Sequence, residues 1–281
     1  MTNGNRRFAP VAIATALAVL ALLASGARPC SAQTEKAKSL EWNKKQIARI
    51  APVPATGTLT FIFISDLHIP FDDKGAVSTI TKKANEIKPA FVLTGGDNVQ
   101  VGNTANFGAM KNAFAKFKVP IIAAMGNHDT AFEDYNNQVE WKKRFGDDYF
   151  YFDAGPARFI FLNNAAFDMP EEAFVFLENA VKTDLKKFVI MHRPPDYLNP
   201  KYYKTPLHNS ERFRSIVEAG KVTAVMMGHE HHYGYYEVGG VKYIVSGGAG
   251  GAVGDDIGNN YHHFILGHVS PAGFEFEVVK I

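Results

Sequence analysis

The chain has 281 residues, 46% of them hydrophobic and 21% charged, with a formal net charge of +2. That length supports one substantial α/β core, and a near-neutral balance without any Lys/Arg cluster argues against a nucleic-acid partner. The single cysteine, Cys30, excludes a disulfide framework, and because it precedes the favoured cleavage point after Ala32 the mature chain is expected to offer no thiolate metal ligand.

In chain order, Arg6 and Arg7 precede an apolar run from Val11 to Ala24 that only Thr15 interrupts, with small or polar residues up to Gln33. A basic start, a short apolar centre and a small-residue exit mark residues 1–32 as a secretory signal peptide, and the chain as exported to the periplasm or the extracellular space. The run is shorter than the ~20 residues of a membrane span, so cleavage after Ala32 is favoured over an uncleaved anchor, and no span is expected afterwards. Ala27-Arg28-Pro29 before Cys30 does not make a lipoprotein box. Residues 33–58 are polar and then Pro-rich at Ala51-Pro52-Val53-Pro54. Leu40 and Ile47 give only a thin apolar stripe, so this segment reads as a weak helix and a linker.

From Leu59 the pattern changes, and 59–281 reads as one domain. Leu59 to Ile64 is a nearly continuous apolar run, as expected of a strand buried on both faces. Ala76, Val77, Ile80, Ala84 and Ile87 have helical spacing that stops at Pro89. Strands follow at 90–94, 120–125, 149–153, 158–163 and 187–191, with helices near 104–117, 136–145, 172–182 and 209–219. The rhythm then turns to strands at 222–227, 233–238, 241–246, 261–269 and 273–280. Alternating strand–helix units followed by strand-rich sequence predict a mixed sheet, or two sheets, covered by helices.

Five short polar segments each follow directly on a predicted strand. They are Asp66-Leu67-His68, Gly95-Gly96-Asp97-Asn98, Gly126-Asn127-His128-Asp129, His192-Arg193-Pro194-Pro195 and Gly228-His229-Glu230-His231. Ligands of open α/β sheets bind at the carboxyl ends of the strands, so these side chains are expected on one rim. Imidazole, carboxylate and amide oxygen together suit Zn, Mn, Fe or Co, and a carboxylate can bridge two such ions. A lone Asp or His after a strand is more often a cap or a surface residue. Several in one ordered pattern reverse that reading.

In this order the segments resemble the calcineurin-like metallophosphoesterase superfamily, whose pattern runs D-x-H, G-D, G-N-H-[DE], H and G-H-x-H. The match runs from Ser65 to His231, and neighbouring strands extend it to about 59–281. The resemblance implies an α/β fold, a four-layer α/β/β/α sandwich with two mixed β-sheets flanked by helices. It implies one divalent ion held by Asp66, His68, Asp97 and His231. A second would share Asp97 with Asn127, His192 and His229. His128 would be the catalytic non-ligand histidine, with Asp129 orienting its ring. Apart from the resemblance, Asn98 and Arg193 sit beside the expected ligands and are read as touching substrate phosphate, since guanidinium suits phosphate oxygens. The implied reaction is hydrolysis of a phosphomonoester or phosphodiester, nucleotides included, through a hydroxide bridging the two ions. Asn98-Val99-Gln100 stands where purple acid phosphatases of the superfamily carry a Tyr ligand, which together with His68 sets the chain outside that branch.

The rival class is a non-catalytic metal-binding or receptor module retaining the fold, and retention of His128 argues against it. A phosphorylated protein or envelope polymer is a further candidate substrate, one that needs an open groove. His229-Glu230-His231-His232 is not a zinc-protease motif, because Tyr233 occupies its closing His position. Gly247-Gly248-Ala249-Gly250-Gly251 lacks dinucleotide-binding spacing and reads as a tight loop bordering the pocket. His232, His262, His263 and His268 match no motif and read as ordinary polar residues.

Overall fold

Leu59–Ile64 (β1), the expected doubly buried strand, lies in the middle of a five-stranded sheet. The computed structural model describes residues 41–131, 134, 138–199, 205–254 and 261–281. The expected leader at 1–32 lies outside the described residues, as does the polar segment up to Leu40. The first sheet has the order β11-β10-β1-β2-β3, with β2 at Phe91–Thr94, β3 at Ile121–Ala123, β10 at His263–Ser270 and β11 at Gly273–Lys280. The second has six strands in the order β4-β5-β6-β7-β9-β8. These are β4 (Phe150–Ala154), β5 (Ala157–Phe161), β6 (Lys186–Ile190), β7 (Ala224–Met227), β8 (Tyr233–Val238) and β9 (Val241–Ser246). Both sheets are mixed: β1, β2 and β3 pair in parallel, as do β5, β6, β7 and β9, with antiparallel pairing on one side of the first set and on both sides of the second.

The sheets face each other across a phenylalanine-rich core. The ring of Phe61 on β1 meets Phe159 on β5 and Phe188 on β6 edge-on, at centroid distances of 5.2 and 5.6 Å. Such cross-sheet aromatic pairs add specific geometry to the area they bury. The outer face of the first sheet is covered by Ala76–Ile87 (α2), Thr104–Phe114 (α3) and Val139–Phe145 (α4), through Val77, Ile80, Phe107, Phe114 and Trp141. The outer face of the second is covered by Glu171–Ala180 (α5) and Ser210–Ala219 (α6), through Phe174, Leu177, Phe213 and Val217. The expected four layers are therefore present. Among the described residues, no helix is long and apolar enough to cross a membrane.

The segment expected to be a weak helix and a linker does more. Trp42–Ile47 (α1) closes the open edge of the first sheet. Asn43 donates Nδ2–H to Ala123 O and accepts from Ala123 N, both at 2.9 Å, and so imitates a neighbouring strand. The Trp42 indole donates to Ile121 O at 2.9 Å. An uncovered edge would expose unpaired backbone groups, and this helix satisfies them with polar side chains rather than with an apolar face. Asn43→Ala is expected to orphan both Ala123 groups, costing about 2–3 kcal/mol and lowering Tm by several degrees. A calorimetric scan showing an unchanged Tm would contradict this account of the edge.

Candidate metal centre

All five polar segments leave the carboxyl ends of parallel strands. Asp66 and His68 follow β1, Asp97 follows β2, Asn127 to Asp129 follow β3, His192 follows β6, and His229 and His231 follow β7. Facing sheets bring the two groups of strand ends together. The chain turns sharply there: Asp66, His68, Asp97 and His229 have φ of 61°, 50°, 48° and 71°, half of the eight non-glycine residues with positive φ among those described. Left-handed backbone is unfavourable for residues with a Cβ, and its concentration here marks a site that the surrounding packing holds against local preference. Gly126 and Gly228 are required at this rim. A Cβ on Gly126 would strike Asp97, and one on Gly228 would strike Ser65 and Asp66.

The side chains meet in two overlapping groups. In one, His68 Nε2 lies 3.0 Å from His231 Nε2 and 3.7 Å from Asp97 Oδ2, while His231 Nε2 lies 3.4 Å from Asp66 Oδ1. In the other, His192 Nε2 lies 3.2 Å from Asp97 Oδ2, 3.0 Å from Asn127 Oδ1 and 3.2 Å from His229 Nδ1. Asp97 stands in both. The structure thus brings all seven residues expected to be ligands together at one place.

Each of the four imidazoles is turned by a contact on its outer nitrogen. His68 Nδ1 meets Gln100 Oε1 at 2.9 Å, His192 Nδ1 meets Gly95 O at 2.9 Å, and His231 Nδ1 meets Ala252 O at 2.8 Å. His229 Nε2 meets Thr205 Oγ1. A nitrogen facing a carbonyl or amide oxygen must carry the proton, so the inner nitrogens of His68, His192 and His231 present lone pairs inward. Lone pairs 3.0 Å apart beside two buried carboxylates repel unless positive charge lies among them. This donor set fits divalent cations, and Asp97 is placed to serve two.

The electrostatics agree. Burial pushes the Asp97 carboxyl up, but His192 and His68 outweigh it and hold it well below the usual carboxylate range. Asp66 is likewise burdened by burial and brought below its ordinary value by His231 and His192. Burial opposes a charge on His231, yet Asp66 pulls the ring up to about 9. His192 is raised by Asp97 against the same opposition. Burial, then the charge expected on His192 and Arg193, drive His229 well below its ordinary value. A proton and a metal ion would compete for the same inner nitrogens, so metal binding is expected to be weaker at low pH.

His128 stands at the edge of the centre, with one ring nitrogen within ligand distance of His68 and Asp97. Its backbone N–H donates to Asp97 Oδ1 at 2.8 Å, its Nδ1 meets Gln100 O at 2.8 Å, and its ring packs edge-on against His68 with centroids 4.6 Å apart. The ring lines a cleft of about 560 Å³ with His68, His231, Gln100, Phe71 and the glycines 250 and 251. A larger hollow of about 1240 Å³ opens beside α5 and α6, but no site residue lines it.

Three expectations need correction. Asp129 does not orient the His128 ring. Its carboxylate accepts from Asn98 N, Val99 N, Asn98 Nδ2 and Gly126 N at 2.8–3.1 Å, and so ties the β2 and β3 loops together. Burial and the charge of Asp97 push it up to about 7, against those donors. Asn98 is fully buried and committed to Ala124 O, Asp129 and Thr94, with nothing left for phosphate. Arg193, 1% exposed, donates to Ala165 O at 2.9 Å and Thr205 O at 2.7 Å, lies 2.9 Å from His229 Nε2, and stacks over Phe167. It supports the loop behind His229 instead of facing substrate.

Three supporting residues were missed from sequence. Gln100 fixes both His68 and His128, and its only signal was its place in the Asp97 segment. Thr205 meets His229, and Asn164 accepts from His192 N at 2.7 Å; neither sits in a motif.

A sequence model described as calcineurin-like phosphoesterase matches residues 59–233. A purple acid phosphatase from seeds of yellow lupin (Lupinus luteus) superposes with a TM-score of 0.66 at 16% identity, covering 81% of this chain and 53% of that one. This chain therefore spans about half of that enzyme. GAP50, described as the anchor in the inner membrane complex of Plasmodium, gives 0.61 at 17% identity over 79% of this chain and 84% of its own. A dimetal phosphatase from Danio rerio gives 0.58 at 12% identity over 79% and 98%. At these identities the likeness is one of fold, which serves a phosphatase and an anchor alike. A search of curated proteins returned no match.

Proposed function

Given that the chain belongs to the calcineurin-like phosphoesterase family, we propose that it is a working hydrolase of small phosphate mono- or diesters, nucleotides included, that uses two divalent ions. The observation that carries this reading is Asp97 standing between His68 on one side and His192 and His229 on the other, with His128 within ligand distance of His68 and Asp97 on the wall of an open cleft. An anchor or receptor has no use for a proton-bearing ring there.

Asp66, His68, Asp97 and His231 would hold one ion, and Asp97, Asn127, His192 and His229 the other. When bound, such a pair supplies positive charge for the phosphoryl oxygens and acidifies water near neutral pH. His128 delivers a proton to the departing oxygen, its Nδ1 kept protonated by Gln100 O so that Nε2 is the exchanging atom. Gln100, Thr205, Asn164 and Asp129 hold the rings and loops in register, so little reorganisation is needed as charge develops. The basic start and apolar run of residues 1–32 support export to the periplasm or the exterior.

The test is the purified chain assayed with Mn, Zn, Co and Mg, each on a paired chromogenic monoester and diester. Hydrolysis with at least one metal, abolished by chelation and restored by that metal, is expected. Failure to cleave any phosphoester with any of the four would end the hydrolase reading.

A further inference from the structure

Phe71 is 63% exposed although its backbone is pinned. Its N–H bonds to His68 O at 2.9 Å, and Asp73 N bonds to Gly250 O at 3.0 Å. The Asp72 carboxylate accepts from Val77 N at 2.7 Å and Ser78 Oγ at 3.1 Å, securing the segment to α2. The Asp73 carboxylate meets His262 Nε2 at 2.9 Å, and His262 Nδ1 faces Gly248 O at 3.1 Å. His262, unassigned by any motif, therefore fastens the Phe71 segment to the glycine run. A large apolar ring held in water on so fixed a backbone forgoes the stabilisation of burial. Among the described residues, the other large exposed apolar ones, Ile87, Val139, Tyr151, Val175 and Tyr235, do not line this cleft.

The ring stands on the cleft wall with Gln100, His128, His231 and Gly251. A group that gives a proton to the departing oxygen must lie on the leaving-group side, so His128 identifies the contents of this cleft. The phosphoryl group faces the metal centre, and the alcohol portion extends past His128 toward Phe71. We propose that Phe71 is the stacking platform of a leaving-group subsite, selecting phosphate esters whose alcohol carries a planar ring, as a nucleoside or an aryl group does. This rests on the phosphoesterase reading and gives it a substrate class. Aromatic stacking suits the task because it recognises a flat π-face without demanding particular hydrogen bonds.

The test uses manganese-loaded protein and two substrate pairs. Adenosine 5′-phosphate and ribose 5-phosphate share the departing oxygen and differ by the base. Benzyl phosphate and cyclohexylmethyl phosphate differ in planarity. In at least one pair, wild type is expected to favour the ring-bearing member in kcat/KM. Phe71→Ala should cut that preference about tenfold or more, as expected for a lost base–aromatic stack, and Phe71→Tyr should restore it. A response confined to the first pair identifies a nucleoside, and one confined to the second an aryl alcohol. A selectivity ratio that Phe71→Ala leaves unmoved in both pairs overturns the subsite. Should wild type hydrolyse none of the four, calorimetric binding of adenosine 5′-phosphate and benzyl phosphate decides separately. Affinity weakened about tenfold by Phe71→Ala upholds the platform while the hydrolase reading falls; affinity that is absent or unchanged removes the platform.

Discussion

Asp97→Ala is expected to leave the protein folded but with both ions lost or grossly under-occupied, and with activity down by about 10³-fold or more. No other side chain belongs to both donor sets. Oδ2 lies 3.2 Å from His192 Nε2 and 3.7 Å from His68 Nε2, while Oδ1 accepts from His128 N. Truncation removes negative charge from between the two histidine groups and frees the backbone that sets the His128 ring. Asp97→Asn separates these effects, since the amide keeps the size and can still accept from His128 N while it lacks the charge. It is therefore expected to hold the His128 loop but bind metal poorly. Elemental analysis after dialysis, beside a thermal melt, reads both variants. Full metal content with normal turnover in Asp97→Ala would remove Asp97 from the bridging role.

The convergence of five polar segments was legible because each stands at the end of an apolar strand, while the choice of seven donors among their side chains came from the family resemblance. Parallel pairing did the rest. What stayed hidden depends on contacts between distant segments. Adjacency to His128 made Asp129 look like its partner, yet the left-handed turn at Asp97 brings the Asn98 and Val99 N–H groups under the Asp129 carboxylate. Arg193 looked like a phosphate ligand because guanidinium suits phosphate, but Ala165 O and Thr205 O, from two other loops, take its N–H groups inside the protein. The function of α1 was invisible to a search for apolar stripes because Asn43 and Gln46 bury polar atoms against the edge of β3. Strand β3 also came out shorter than the apolar run 120–125, since the chain leaves the sheet after Ala123 to bring Asn127 to the centre.

The most diagnostic expected result concerns His128. His128→Ala should retain both ions yet lose about 10²–10⁴-fold in kcat, the usual worth of a positioned proton donor. Geometry leaves a competing role open to test, because one nitrogen of His128 lies within ligand-set distance of His68 and Asp97. The two roles differ in their dependence on the leaving group. A p-nitrophenolate departs without needing a proton, whereas an alkoxide does not. A proton donor's removal should therefore hurt an alkyl phosphate far more than p-nitrophenyl phosphate, and the limb of the pH–rate profile that falls as pH rises should change, because a donor must hold its proton to act. Loss of a ligand would depress both substrates alike and lower metal content with them. Gln100 offers an independent check, since its carbonyl oxygen fixes the His128 ring through the main chain while its side chain fixes His68. Gln100→Ala should thus spare the His128 contact and act through His68, weakening metal binding by about 10–100-fold, as loss of an outer hydrogen-bond partner does elsewhere. A Gln100→Ala protein with normal metal affinity, beside a His128→Ala protein stripped of metal, would reverse the two assignments.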